Sequence, residues 1–230
     1  MKNYVIIGGS SGIGSALVHK LEQDDVNIIA TYNTNVPSET SSKFSKFDVT
    51  TDTFNIDTLP EEIHGLVYCP GSINLKPFHR FKSDDFINDF KLQVVGATTI
   101  IQQLLPRLKK SGSASIVLFS TVAVQQGFNF HSQVATSKGA IEGLTRALAA
   151  EFAPLIRVNA IAPSLTNTDL AGRLLNSPEK IEKQAAMNPM KRVGDPKDIA
   201  ALAHFLLTEE ASWITGQIVH VDGGFSVIKH

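Results

Sequence analysis

The sequence predicts an α/β domain, a doubly wound parallel sheet with helices on both faces. Three observations predict it: short apolar runs rich in Val and Ile, longer stretches with helical spacing, and alternation of the two along the chain. The runs Tyr4–Ile7, Val26–Thr31, Gly65–Tyr68, Ser115–Phe119, Ile156–Ile161 and Gln217–Val221 are nearly continuous rather than alternating. Continuous runs suit strands buried on both sides. Helices are expected over Gly12–Gln23, Asp84–Lys110, Val134–Phe152 and Pro196–Leu207. In the second, apolar residues recur three and four apart through Phe86, Phe90, Val94, Ala97 and Ile101, and Pro106 is expected to end or kink it. Thr34–Ser45 reads as a surface loop and Leu165–Pro189 as a helical flap. No internal repeat or long linker divides the chain, so residues 1–230 are expected to form one domain.

Composition narrows the function classes. The 230 residues carry 21 Lys+Arg against 22 Asp+Glu, a net charge of −1, which argues against nucleic acid as a partner. With 43% hydrophobic residues the chain is too apolar for disorder, yet no apolar run approaches the ~18 residues of a membrane span. No signal peptide is expected, since Met1, Lys2 and Asn3 give way at once to the first apolar run. One cysteine, Cys69, permits no internal disulfide, and a cytoplasmic location is the expectation. The seven histidines show no spacing that suggests a metal site, and His220 reads as a hydrogen-bonded histidine of the last strand.

The strongest local signal follows the first strand: Gly8-Gly9-Ser10-Ser11-Gly12-Ile13-Gly14, opening a helix. A strand, a glycine turn and a helix let the backbone approach a pyrophosphate and aim free N–H groups at its charge. The fold expected is therefore a Rossmann-type NAD(P)-binding domain. The second strand ends Ala30-Thr31-Tyr32-Asn33-Thr34, with neither an acid nor an arginine. Without an acid to repel a 2′-phosphate, NADP is preferred to NAD, and Asn33 lies where the adenosine ribose would sit.

With these motifs the chain resembles the short-chain dehydrogenase/reductase family from end to end, and is most similar to its 3-oxoacyl-acyl-carrier-protein reductase-like branch. Ile7 stands in the family's threonine place, and Gly8, Gly12 and Gly14 in its glycine places. Asp48-Val49 looks like the pair that contacts adenine. Arg157 to Pro163 matches the penultimate strand, with Ser164 where the family has glycine, and Gly216 to Gly224 matches the last strand and turn. By resemblance Thr168 holds the nicotinamide amide, and Gly71 and Pro163 line the same site. The resemblance also implies a small-molecule substrate, a carbonyl or enone compound, and pairing into homodimers or homotetramers. Small residues at Gly139, Ala140, Gly143, Ala147 and Ala150 suit such pairing.

The family's proton donor is a tyrosine four residues before a lysine; here Val134 stands four before Lys138. The family's serine, thirteen before the tyrosine, falls at Thr121, and its asparagine at Gln93, for which a structural role is expected. Its Asn-Asn-Ala-Gly signature reads Tyr68-Cys69-Pro70-Gly71, and Tyr68 is expected near the cofactor ribose. Lys138 can hold the nicotinamide ribose or be an ordinary helix lysine. Thr121 can bind a substrate oxygen or cap its strand. His131, seven before Lys138 and so on the same helix face, is a candidate proton donor or a loop residue at the cleft rim. Phe78, Phe81, Phe86 and Phe90 form a core or subunit contact, with Phe78 and Phe81 candidates for a substrate entrance. Two functions stay open: an NAD(P)-dependent oxidoreductase with a displaced proton donor, or a non-catalytic NAD(P)-binding sensor or silent partner subunit.

Overall fold

The structure, a computed structural model, describes residues 1–37 and 40–229. Its centre is a parallel sheet in the order β3-β2-β1-β4-β5-β6-β7. The strands are β1 (Lys2–Ile7), β2 (Val26–Tyr32), β3 (Lys43–Lys46), β4 (Gly65–Tyr68), β5 (Ala114–Phe119), β6 (Ile156–Pro163) and β7 (Ile218–Val221). The helices are α1 (Gly12–Leu21), α2 (Ser83–Phe90), α3 (Gly96–Lys110), α4 (Ser132–Phe152), α5 (Pro178–Ala186) and α6 (Pro196–Leu207).

Both faces are buried, as the continuous apolar runs require. Val5, Ile7, Ile116 and Leu118 point to one side, where α3 and α4 supply Ile100, Leu104, Leu108 and Ile141. Their neighbours Tyr4, Ile6, Val117 and Phe119 point to the other, against Leu17, Val18 and Leu21 of α1 and Ile199, Ala203 and Leu206 of α6. Burying a side chain of this size stabilises by roughly 1.5–3 kcal/mol. The strand order reverses between β1 and β4, and the crevice at the C-terminal ends of such strands is where α/β sheets bind ligands.

Four local expectations are corrected. The loop expected over Thr34–Ser45 ends in strand β3; it was missed because an edge strand with exposed Lys43, Ser45 and Lys46 carries no apolar run (residues 38–39 of that stretch lie outside the described residues). Pro106 lies inside α3, which continues to Lys110; buried Leu104 and Leu108 hold the helix across the missing N–H. The helix predicted over Asp84–Lys110 is interrupted by a π turn, Lys91–Val95. That extra residue shifts the pattern, so Phe90 is exposed and Asp89 is buried. Finally, Phe78 and Phe81 pack around Phe86, with ring centroids 6.4 and 5.3 Å away, and neither lines the cleft.

Leu165–Pro189 folds as a short turn of helix, Asp169–Ala171, followed by α5. Away from the cleft, Trp213 is 98% exposed before β7. No helix among the described residues is long and apolar enough to cross a membrane.

Candidate active site

A large cleft, about 850 Å³, opens across the C-terminal ends of the strands. At one end it is built from backbone. Gly8 and Gly12 take left-handed φ values of +77° and +51°, which favour glycine. At Gly14 a side chain would run into the Gly8 carbonyl. The Gly8 N–H is fixed by the Thr31 hydroxyl at 3.0 Å, and the Gly9 N–H by the Thr31 carbonyl at 2.8 Å. The turn is thus pinned to β2 while α1 starts with no side-chain cap and no acid in its first turn. A helix N-terminus left open in this way suits a phosphate.

Gly8, Ser10, Ser11, Gly12, Ile13 and Gly14 all line the cleft, as do Asn33, Val49, Gly71, Pro163 and Thr168. Thr168 lies opposite the turn; a methyl group on Gly12 would meet its Cγ2 at 3.2 Å. Asp48 sits between two lining residues, Phe47 and Val49. Its carboxylate accepts from the Thr50 N–H and hydroxyl and, at 3.3 Å, from Asn33 Nδ2. Those hydrogen bonds, the Thr50 hydroxyl foremost, hold its pKa below the usual carboxylate value.

The other end is built from side chains. Thr121, His131, Val134 and Lys138 line it together. The Thr121 hydroxyl caps the short helical turn Val122–Val124, accepting from the Ala123 N–H at 3.3 Å. The neighbouring Ser120 hydroxyl is committed to buried Glu142 at 2.8 Å. His131 is the N-cap residue of α4, and its Nδ1 pairs with the Asn129 carbonyl at 2.8 Å. A carbonyl can only accept, so Nδ1 carries the proton and Nε2 is left for other partners. Apolar walls from Phe128, Phe225, Leu165, Leu174 and Met187 complete this end.

Lys138 is half-buried in the cleft wall, and desolvation there, partly offset by Asp89 and the Cys69 thiol, brings its pKa down to about 8. Burial also pushes the Cys69 thiol up to about 12, partly offset by Lys138. Beneath them lies a polar cluster. The Asp89 carboxylate accepts from both the Ser137 hydroxyl, at 2.6 Å, and the Gln93 amide, at 2.8 Å to each oxygen, as well as from the Ser72 hydroxyl. Gln93 therefore has the structural role expected, yet its Oε1 is buried without a partner at the cleft wall.

Two expectations for side chains fail. Tyr68 is not at the cleft: its hydroxyl donates to the Leu92 carbonyl, at 2.6 Å, inside the π turn. Gly96 is required beside it, because a side chain there would collide with that hydroxyl. His220 Nε2 is buried with no hydrogen-bond partner. Asp89 and Ser72 were overlooked. The available signal was polar Asp89 and Gln93 four residues apart within an otherwise apolar helical pattern.

The glycine turn, the open N-terminus of α1 and the orphaned Gln93 oxygen fit a dinucleotide with a ribose beyond its pyrophosphate. Comparison with known proteins agrees. Residues 8–226 match the family model described as enoyl-(acyl carrier protein) reductase. The chain belongs to the short-chain dehydrogenase/reductase family. Within it, the chain is 34% identical to a tropinone reductase homolog of Arabidopsis thaliana, At2g29290, over 98% of this chain and 93% of the relative. It is 30% identical to a tropinone reductase homolog of Datura stramonium, over 97% and 91%. Among solved structures, the ligand-free aldohexose dehydrogenase of Thermoplasma acidophilum superposes with a TM-score of 0.89 at 28% identity, covering 99% of this chain and 95% of that one. The fold is thus the Rossmann-like fold of the family's dehydrogenases, and its members are oxidoreductases that bind NAD(P).

Proposed function

We propose that this chain is an NAD(P)-dependent reductase of a carbonyl or enone compound whose usual tyrosine is replaced by Val134. The observation that carries this reading is one cleft lined at one end by the glycine turn and at the other by Lys138, whose pKa is brought down to about 8. Similarity to tropinone reductase homologs and to a sugar dehydrogenase supports exchange between an alcohol and a carbonyl. The motifs around Arg157–Pro163 and Gly216–Gly224 favour the 3-oxoacyl-acyl-carrier-protein reductase-like branch. Asn33, with no acid at the end of β2, favours NADP over NAD.

When bound, the dinucleotide supplies a hydride. Gly8 to Gly14 hold its pyrophosphate, Thr168 its nicotinamide amide and Lys138 its ribose. Thr121 binds the substrate oxygen, and Lys138 and His131 are the titratable groups on the α4 side from which a proton can come. The apolar walls select a substrate with a hydrophobic body beside the reacting oxygen. Exposed Ile87, Phe90 and Val95 on α2 and the π turn support pairing into a homodimer or homotetramer. A cytoplasmic location without nucleic-acid or membrane partners remains part of this reading.

Val134 favours the second reading, a non-catalytic NAD(P)-binding sensor or silent subunit. The test is NADPH fluorescence on mixing, followed by oxidation across ketones, enones and acyl thioesters. Binding with turnover of at least one class is the expected result; binding without oxidation of any class would leave the sensor.

A further inference from the structure

Asp89 is an ionisable residue only 4% exposed, and its four hydrogen bonds all come from uncharged donors. These donors satisfy the carboxylate without a salt bridge. Among the described residues, no carboxylate lies within 4 Å of Lys138 Nζ, so Asp89 acts on the ammonium at longer range, beside Gln93. A methyl group on Gly71 would lie 3.4 Å from Gln93 Oε1 and 3.6 Å from Lys138 Nζ. Glycine there keeps open the space the two share. Val134, one turn before Lys138 on α4, places only methyl groups toward the same part of the cleft.

We propose that Lys138 is itself the proton donor to the substrate oxygen, with Asp89, which anchors Gln93 beside the space that Lys138 Nζ shares, as the positioning residue. The proposal rests on the reductase reading above. In the step, the carbonyl carbon gains the hydride from the reduced dinucleotide as the C=O π bond breaks. A proton passes from Nζ to the oxygen, giving the alcohol, the oxidised dinucleotide and a neutral amine, which solvent reprotonates.

The neighbours are less suited. The Cys69 thiol, pushed up to about 12, is a far weaker acid. Thr121 has no proton it can release near neutrality. His131 lies at the mouth with one ring nitrogen engaged by Asn129. A half-buried lysine at about 8 titrates close to the operating range, where a general acid is most effective. The charged or titratable groups bearing on it are Asp89 from α2 and Cys69 after β4, with His131 on its own helix.

Lys138→Arg separates charge from acidity, because a guanidinium holds its proton throughout the working range. Turnover is expected to fall by about 100-fold or more, the scale of a positioned acid, and is compared at saturating NADPH so that loss of the ribose contact is separated from loss of the acid. For the wild type, the acid must be protonated, so turnover should fall as pH rises through about 8. Asp89→Asn removes the negative charge that raises this pKa, moving the limb to lower pH by about one unit. A 13C NMR titration of Lys138 should move with it, in the free and the NADPH-bound protein. If Asp89→Asn does not accumulate, the wild-type profile and Lys138→Arg carry the test. Turnover retained in Lys138→Arg, or a limb that follows His131→Ala and not Asp89→Asn, overturns the proposal alone. NADPH bound by the wild type without any oxidation overturns the reductase reading with it.

Discussion

The two ends of the cleft are made by different means. The dinucleotide end is backbone: a turn pinned to Thr31, left-handed glycines and an uncapped helix start. The substrate end is side chains on α2, the π turn and α4, meeting through Asp89, Gln93 and Lys138. Backbone geometry tolerates few changes, because any added side chain displaces it. A side-chain constellation can exchange one group for another while the helices stay in place. On the proposed reading this chain shows both behaviours, with the glycine turn kept and Val134 standing where the family's acid is expected.

Three substitutions sharpen that contrast. The largest effect is expected from Val134→Tyr, which on the proposed reading supplies the family's acid on α4. Since a positioned general acid contributes about 10²–10⁴-fold, ketone reduction should rise by about 100-fold, near the lower end, if Lys138 already donates. Steady-state NADPH oxidation measures it. Gly14→Ala should break the other end. Its methyl group meets the Gly8 carbonyl, so the turn must shift; such overpacking lowers stability by about 1–3 kcal/mol, and the displaced turn should bind NADPH at least several-fold more weakly. Fluorescence titration of NADPH reads that loss. Tyr68→Phe is the smallest change, leaving the part-buried Leu92 carbonyl without its side-chain donor. It should lower stability by about 1–3 kcal/mol in urea unfolding, with little effect on NADPH affinity.

The same division explains what could be read from the sequence. Six strand cores and the glycine turn were legible because each depends on a short stretch of chain. The register between Phe90 and Val94 was not, because a π turn adds a residue without a sequence mark of its own. Spacing from Lys138 brought Thr121, His131 and Val134 to one wall. Asp89 escaped because its importance comes from three partners on separate segments, Ser72, Gln93 and Ser137. Tyr68 was misplaced for a related reason: its hydroxyl follows a carbonyl freed by the helix rather than the open cleft.

The exposed position of Trp213 has an optical consequence. It is the chain's one tryptophan and lies outside the cleft lining, fully in water. Protein emission should therefore be red-shifted, easily quenched by iodide and a poor witness to events around the nicotinamide site. It is well placed instead to sense contact between copies of the chain, since an indole covered by a neighbouring subunit shifts its emission to the blue.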